Sequence, residues 1–159
     1  MMSEMRKRAA QGIKEGDTFT VTRVFTAQDL IQFGDLSRDY NPVHYDERYA
    51  KSKRLNGLVC HGLLVAGMGT EIGGQLGLLA EKMNFTFKKP VYIGDKIECS
   101  CTIMEIDGSG RCTVSTVFKN QEGIIVLEST GVGILPTPED REILKTMMDE
   151  GDPTNKARK

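Results

Sequence analysis

The stretch from Gly62 to Leu79 constrains the fold more than any other part of the sequence. It contains no proline, and its large apolar residues recur at the spacing of one helical face, which predicts a long helix. A second set of positions, three or four residues apart, holds only small residues: Gly62, Ala66, Gly69, Gly73 and Gly77. Because a glycine inside a helix costs about 1 kcal/mol relative to alanine, we expect either a tightly wrapped sheet or a ligand to approach this face closely.

The segments around this helix predict strands, because they are rich in β-branched and aromatic residues and are bounded by turn residues. Four of them follow the helix, at residues 83–87, 96–106, 112–120 and 124–134. Before the helix, residues 18–25 predict a first strand and residues 27–36 a short helix capped by Thr26. Residues 139–148 predict a last helix. This order is typical of an α+β fold in which a curved antiparallel sheet wraps one long central helix.

The length of 159 residues predicts one folded domain. We assign residues 16–135 to it, residues 1–15 to an N-terminal extension, and residues 136–159 to a short C-terminal helix and a polar tail. Hydrophobic residues make up 39% of the chain and charged residues 27%, as in globular proteins. The basic clusters at residues 5–8 and 156–159 predict solvated, frayed termini.

Charge and composition exclude several classes of protein. Lysine and arginine number 21 and aspartate and glutamate 22, so the chain carries no net positive charge that would attract nucleic acid. The longest uncharged stretch, residues 55–70, is shorter than the roughly 20 residues that span a bilayer, so we expect no membrane partner. The absence of a secretory signal predicts a cytoplasmic protein. Four cysteines lack zinc-ligand spacing, which predicts reduced core thiols and no metal: Cys60, Cys99, Cys101 and Cys112.

The chain has only two histidines, His44 and His61, and both precede the long helix. Asp39 lies five residues before His44, on a loop that Pro42 stiffens. A carboxylate and an imidazole can together hold and activate a water, because imidazole exchanges protons near neutral pH. The spacing alone is a weak signal, which the intervening Asn-Pro pair makes more specific. We therefore predict Asp39 and His44 as catalytic residues.

Gly62 follows His61 at the predicted start of the long helix. The first N–H groups of a helix have no partner within it and lie at the positive end of its dipole, so they favour a developing oxyanion. Gly62 would let a substrate carbonyl approach the backbone, although a simple turn into the helix explains a glycine equally well. For His61 we predict a structural role, in which the ring orients the loop or accepts a backbone hydrogen bond.

Residues 33–46, FGDLSRDYNPVHYD, and residues 57–64, GLVCHGLL, resemble the hydratase motif of the MaoC-like, (R)-specific enoyl-CoA hydratases. The resemblance covers a contiguous block from about residue 33 to residue 77. The strand order over residues 16–135 is similar to the hot-dog fold of that family. The resemblance implies syn addition of water to a trans-2-enoyl-CoA, or dehydration of an (R)-3-hydroxyacyl-CoA, with no cofactor.

The resemblance also implies roles for particular residues. Asp39 and His44 would hold the water and handle its two protons, and the Gly62 N–H would polarise the thioester carbonyl. Asn41 would brace the loop and contact the substrate. The implied partner is an acyl-CoA thioester, and the implied assembly is a homodimer or larger homo-oligomer with sites near the subunit interface.

The resemblance would also explain the small residues of the central helix, since an acyl chain must lie beside that helix. Four of them would leave room for it: Ala66, Gly69, Thr70 and Gly73. CoA phosphates would favour basic groups at the mouth of the site. Lys88 and Lys89 are candidates for this role. Alternatively, they are solvated residues at the end of a strand.

Two other functions stay open. A hot-dog acyl-CoA thioesterase would use an acid on the central helix, where Glu71 is the only carboxylate, but this leaves the pairing of Asp39 with His44 unexplained. A non-catalytic acyl-CoA-binding protein would usually lack one of that pair. The pattern is consistent with CoA or acyl carrier protein as the carrier, and with short or long acyl chains.

Overall fold

The computed structural model describes residues 4–151, so the basic cluster at residues 156–159 and most of the polar tail lie outside the described residues. The described part forms one antiparallel sheet whose order is β1-β3-β4-β5-β2. Its strands are β1 (Thr18–Val24), β2 (Leu79–Phe87), β3 (Lys96–Ile106), β4 (Arg111–Lys119) and β5 (Ile125–Ile134). Four of these agree with the predicted strands within one residue at each end, since left-handed glycines such as Gly110 and Gly123 mark the turns between them.

Helices accompany the sheet on its concave side and at its ends. Among the described residues they are α1 (Glu4–Gln11), α2 (Ala27–Ser37), α3 (Glu47–Ser52), α4 (Gly62–Ala66), α5 (Met68–Leu76) and α6 (Pro138–Asp149). Thr26 caps α2 as predicted, in a reciprocal capping box with Asp29. No helix in this part of the chain is long and apolar enough to cross a membrane.

The central helix is not continuous, contrary to the prediction, because it breaks at Gly67 into α4 and α5. At the break, the N–H and the hydroxyl of Thr70 both donate to the Gly67 carbonyl, at 3.0 and 2.6 Å. A threonine hydroxyl that competes for a backbone carbonyl in this way disturbs the regular hydrogen bonds of a helix. The two short helices therefore replace the single predicted one.

The central helix also ends earlier than predicted, at Leu76 rather than Leu79. Gly77 follows it in a left-handed conformation with φ of +69°, and the Leu78 N–H donates to the Gly73 carbonyl at 2.9 Å. Glycine favours this C-terminal motif because it has no Cβ to oppose the positive φ. The chain therefore enters β2 four residues before the predicted start of that strand.

The concave face of the sheet wraps α4 and α5 and buries their inner side. The buried helix residues Val65, Met68, Ile72 and Leu76 form one core cluster with sheet residues that include Ile97, Cys99, Ile103 and Phe118. All four cysteines are free and buried, which confirms the predicted core thiols. Burial raises the pKa of the Cys60 and Cys99 thiols to about 12, so these groups stay protonated near neutral pH.

The N-terminal segment is ordered from Glu4, so the prediction of a frayed terminus at residues 5–8 is wrong. Ala9 and Ala10 are buried where α1 packs against α6 and α5. Arg8 binds Asp17 at 2.9 Å, and this guanidinium lowers the pKa of the Asp17 carboxyl. Small residues let helices approach closely, and these two alanines lie at that contact.

Candidate active site

The loop after α2 carries the first predicted catalytic residue. Arg38 adopts a left-handed conformation and its N–H donates to the Gly34 carbonyl at 2.7 Å, which ends the helix and turns the chain towards Asp39. Asn41 then begins a single 3-10 turn over residues 42–44, where its side-chain oxygen accepts the Val43 N–H at 3.3 Å. Asn41 therefore braces the loop, as the resemblance implied.

His44 is held in one orientation by the backbone. Its Nδ1 lies 2.7 Å from the Val59 carbonyl oxygen, and because a carbonyl can only accept, Nδ1 carries the proton. In the neutral ring, Nε2 is then a free acceptor. This nitrogen lies 3.9 Å from Asp39 Oδ2, too far for a direct hydrogen bond but suited to one bridging water. The His44 side chain is 9% exposed and that of Asp39 50%, so water reaches the pair from the Asp39 side.

His61 lies behind this pair and supports it. Its ring stacks on that of His44, with centroids 3.8 Å apart and planes inclined by 25°. Its Nε2 donates to the Asp39 carbonyl oxygen at 3.0 Å, which fixes the backbone of the loop that carries Asp39. His61 therefore orients the loop as predicted, although it donates the backbone hydrogen bond rather than accepting one. Burial lowers the pKa of His61, which favours the neutral ring.

Tyr45 and Gly34 belong to the same support, although neither was predicted from the sequence to do so. The Tyr45 hydroxyl lies 3.2 Å from His61 Nε2 and 3.4 Å from the Asp39 carbonyl oxygen. It passes directly over Gly34, where any Cβ would collide with it. Burial raises the pKa of the Tyr45 phenol, so the group remains a donor. A glycine in the middle of a short helix was the available signal.

Gly62 is the first residue of α4, and the ring of Phe87 rests against it. A Cβ at this position would lie 2.6 Å from Phe87 Cε1, so the close approach of the aromatic ring requires glycine. The N–H groups of this first helical turn have no acceptor within the helix. The N–H of Gly62 therefore has no acceptor within the helix, while its α-carbon packs closely against the ring of Phe87.

The four residues predicted for catalysis and loop contact line one pocket of about 560 Å³, which we call the histidine pocket: Asp39, Asn41, His44 and Gly62. Its apolar walls include Leu63, Val65, Phe87 and Leu127. Lys88 and Lys89 also line it, and Lys88 is paired with Glu128 at 2.8 Å. The structure thus brings the predicted catalytic residues together.

The four small residues predicted to contact an acyl chain line a second space, of about 280 Å³, which we call the glycine cavity: Ala66, Gly69, Thr70 and Gly73. It lies between α5 and the concave face of the sheet. Apart from Thr70, Lys82 and a few small polar residues, its walls are apolar. The structure therefore assigns the predicted substrate-binding residues to a cavity other than that of Asp39 and His44, with Asn41 as the exception.

Asp39, His44 and His61 are close enough to suggest a cation site, but their geometry does not favour one. Each ring uses one nitrogen as a donor to a backbone carbonyl, which leaves His44 Nε2 and His61 Nδ1 as lone-pair atoms. Lone pairs lie in the ring planes, and because the rings are stacked, with centroids 3.8 Å apart and planes inclined by only 25°, the two lone pairs do not converge well on one ion. The cluster is better suited to proton transfer.

Known proteins resemble the chain over most of its length. Residues 8–126 match the model of the family described as MaoC like domain. A mitochondrial 3-hydroxyacyl-[acyl-carrier-protein] dehydratase of Arabidopsis thaliana is 31% identical over 130 residues, which cover 78% of this chain and 78% of the relative. An (R)-specific enoyl-CoA hydratase of Rhodospirillum rubrum is 28% identical over 131 residues, which cover 79% of this chain and 90% of the relative.

A solved structure described as the (R)-hydratase from A. caviae involved in PHA biosynthesis superposes with a TM-score of 0.74 at 25% identity. The superposition covers 79% of this chain and 99% of that one. This similarity and the strand order confirm the predicted hot-dog fold. Because the family model spans more than half of the sequence and includes both histidines, the chain belongs to the MaoC-like domain family.

Proposed function

We propose that the protein is a hydro-lyase, an (R)-specific enoyl-CoA hydratase that adds water to trans-2-enoyl-CoA and, in reverse, dehydrates (R)-3-hydroxyacyl-CoA. The observation that carries the proposal is the 3.9 Å separation of His44 Nε2 and Asp39 Oδ2 at one wall of the histidine pocket. The relatives named as an (R)-specific enoyl-CoA hydratase and a 3-hydroxyacyl dehydratase support the same reaction.

In the hydration direction, the water bridging Asp39 and His44 attacks C3 of the enoyl thioester. His44 Nε2 has a free lone pair for a proton of that water, because Nδ1 is committed to the Val59 carbonyl. The pair takes one proton from the water and returns one to C2, so the product gains H and OH and the site recovers its starting state. Since both groups lie on one wall, H and OH are added to the same face, which is syn addition.

The Gly62 N–H supplies the electrostatic part of the mechanism. As water adds to C3, negative charge moves onto the thioester oxygen, and a fixed donor near that oxygen stabilises the charge. Gly62 lines the same pocket as Asp39 and His44 and stands in the first turn of α4. We assign its N–H to this oxygen, and Asn41 to contact with the substrate beside it.

The positions of the two cavities suggest where the acyl chain and the carrier of the substrate bind. We place the acyl chain towards the glycine cavity, beside the four small residues already predicted to contact it, and the carrier at the opposite, solvent-exposed side. Lys89 lines the histidine pocket and is suited to a carrier phosphate. No cofactor takes part in this mechanism, because water and the two side chains supply every proton.

We further propose a homodimer. β2 is an edge strand, which leaves a row of backbone groups without a partner strand in the described chain. Three large apolar side chains of β2 are exposed, Leu79, Met83 and Phe87, and so is Leu63 of α4. A second copy would cover these groups and would bring the interface next to the histidine pocket, which Leu63 and Phe87 line. Sedimentation equilibrium of the purified protein tests this state.

The thioesterase alternative receives less support from the geometry. Glu71 pairs with Arg23 at 3.1 Å and lines neither the histidine pocket nor the glycine cavity. An acid that activates water against a thioester must lie beside the carbonyl. A non-catalytic binding protein is likewise disfavoured, because it has no use for the bridged pair of Asp39 and His44.

The test is incubation of the purified protein with crotonyl-CoA, following the absorbance of the conjugated thioester and the release of free thiol in parallel. The proposal predicts loss of absorbance without thiol, and a product with (R) configuration. Thiol release would support the thioesterase instead. Absence of turnover with enoyl thioesters of every chain length and either carrier would contradict the proposal.

A further inference from the structure

Gly34 occupies a helical position whose backbone gives no reason for a glycine. It lies inside α2, three residues before the end of that helix, and it is not among the glycines with a positive φ. Glycine weakens the interior of a helix relative to alanine, because it loses more conformational freedom on folding. The reason for this glycine is a neighbour, since a Cβ here would overlap the Tyr45 hydroxyl and would lie 3.1 Å from Tyr45 Cζ. The two positions are therefore matched to each other.

The Tyr45 hydroxyl lies where three segments of the chain meet. It is 3.4 Å from the Leu30 carbonyl oxygen on α2, 3.4 Å from the Asp39 carbonyl oxygen, and 3.2 Å from His61 Nε2. Because a carbonyl can only accept, the proton between His61 and Asp39 is carried by His61 Nε2. The hydroxyl can therefore accept from His61 and donate to one of the two carbonyls. In this way it connects α2, the loop that carries Asp39 and the start of α4.

Several hydrogen bonds fix the direction in which the Asp39 carboxylate points. The Asp39 N–H donates to Ser37 Oγ at 3.2 Å, Oδ1 accepts the Asn41 N–H at 3.2 Å, and the carbonyl accepts from His61 at 3.0 Å. Oδ2 then faces His44 Nε2 at 3.9 Å. Residues 38–41 have no regular secondary structure, so these bonds determine the position of the loop. A shift of the Asp39 backbone would change the separation that suits a bridging water.

Tyr45 lies outside the pocket in which the reaction is proposed to occur. It is not among the described residues that line the histidine pocket, and its hydroxyl lies instead beside the backbone of Asp39. A substrate in that pocket would meet Asp39 and His44 but not the phenol. Any effect of Tyr45 on the reaction must therefore act through the position of Asp39.

We propose that Tyr45 is a positioning residue for the hydration, whose hydroxyl holds the Asp39 backbone so that Oδ2 keeps its distance from His44 Nε2. Gly34 leaves the space that this hydroxyl requires. The inference rests on the proposed hydratase function. Small displacements of reacting groups are costly, since a shift of about 1 Å can lower a rate about a hundredfold. Loss of the phenol is a smaller disturbance than that, because His61 still donates to the Asp39 carbonyl.

The first test is Tyr45→Phe, which removes the hydroxyl and keeps the ring. It should lower kcat for hydration of crotonyl-CoA about three- to tenfold, as expected for one hydrogen bond. KM should stay within about twofold, because the phenol does not contact the substrate. Tyr40→Phe is the matched control, since Tyr40 adjoins Asp39 but its hydroxyl donates to the Asp35 carboxylate at 3.1 Å. It should leave both kcat and KM unchanged.

Gly34→Ala tests the match between the two positions. It should displace the phenol and lower kcat as Tyr45→Phe does, although alanine favours the helix. Added to Tyr45→Phe, it should lower kcat no further, because both substitutions remove the same contact. The inference is overturned if Tyr45→Phe is folded by circular dichroism and keeps its kcat. It is also overturned if Gly34→Ala lowers kcat by the same factor with and without Tyr45→Phe.

Amide hydrogen exchange followed by NMR separates this inference from the proposed function, because it requires no turnover. Tyr45→Phe should speed exchange of the Asp39 and Asn41 N–H groups several-fold, whereas Tyr40→Phe should not. Failure of the unmodified protein to hydrate any enoyl thioester would contradict the proposed function, and the exchange rates would still report on the loop. Equal exchange in the two variants would show that Tyr45 does not hold Asp39 in place.

Discussion

The imidazole rings of His44 and His61 lie face to face, with centroids 3.8 Å apart, and each uses one nitrogen to bind a backbone carbonyl. Two protonated rings at this distance would repel each other strongly, since little water separates them. The arrangement therefore requires that His61, which is 1% exposed, remain neutral. In the proposed mechanism His44 acts on the water, while His61 holds the loop. Because the two rings are stacked, protonation of one disfavours protonation of the other and so affects the stability of the site.

The first prediction concerns stability against pH. Burial and then the charge of His44 lower the pKa of His61 below its unfolded value of about 6.5. The unfolded chain therefore binds more protons in this range, so the stabilisation is complete above pH 6.5 and is lost as the pH falls through the folded pKa. We expect the free energy of unfolding by urea to decline between pH 7 and pH 5, and His61→Gln to weaken that decline. Equal slopes in the two proteins would contradict it.

The second prediction concerns the catalytic pair. Asp39→Asn and His44→Gln keep the size of each side chain but remove the group that transfers a proton. Each should lower kcat for hydration of crotonyl-CoA by about 10²–10⁴-fold. Glu71→Gln, a matched loss of one carboxylate outside the pocket, should change kcat by less than threefold. Circular dichroism and size-exclusion chromatography would check that the variants fold. Normal turnover in either Asp39→Asn or His44→Gln would refute the assigned roles.

The proximity of Asp39 and His44 could be predicted from the sequence because only four residues, one of them a proline, separate them. Short separations on a stiff loop leave few arrangements, so chemistry and spacing sufficed. The support of the pair was harder to predict. Tyr45 reaches His61 from a different part of the chain, and its hydroxyl fits only because Gly34, eleven residues earlier, has no side chain. Such contacts depend on tertiary packing, which the spacing of apolar residues along the sequence does not predict.

The same holds for the fold. Features that depend on neighbouring residues were predicted from the sequence, and features that depend on distant contacts or on one competing hydrogen bond were not. Strand positions followed from β-branched residues and turn glycines, which act locally. The break at Gly67 did not, because it depends on the competition of the Thr70 hydroxyl for one carbonyl within an otherwise regular pattern. The ordered N-terminus was missed because Ala9 and Ala10 are buried only when α6, more than a hundred residues later, packs on them.

The third prediction concerns the contact between Gly62 and Phe87. Gly62→Ala places a methyl group against the aromatic ring, which must move. Because Phe87 is 55% exposed and its ring can shift, the overpacking costs about 1 kcal/mol, at the low end of such changes. We expect a lower midpoint of thermal unfolding together with a lower kcat, since the shift displaces the proposed oxyanion donor. Phe87→Leu in the same chain should recover stability by making room. If Gly62→Ala alone left both quantities unchanged, the close contact and the oxyanion role would both be wrong.

The last prediction concerns the carrier. Lys89 lines the histidine pocket, and a phosphate of CoA or an acidic carrier surface would approach from that side. Lys89→Glu should raise KM for crotonyl-CoA several-fold with little change in kcat, because the charge acts on binding rather than on the reacting atoms. The effect should shrink as salt rises from 50 to 500 mM, since salt screens charges across solvent. Lys14→Glu makes the same change of charge away from both cavities and should leave KM unaltered. Equal effects of the two substitutions would show that only the net charge of the protein matters, and that Lys89 has no place at the mouth of the site.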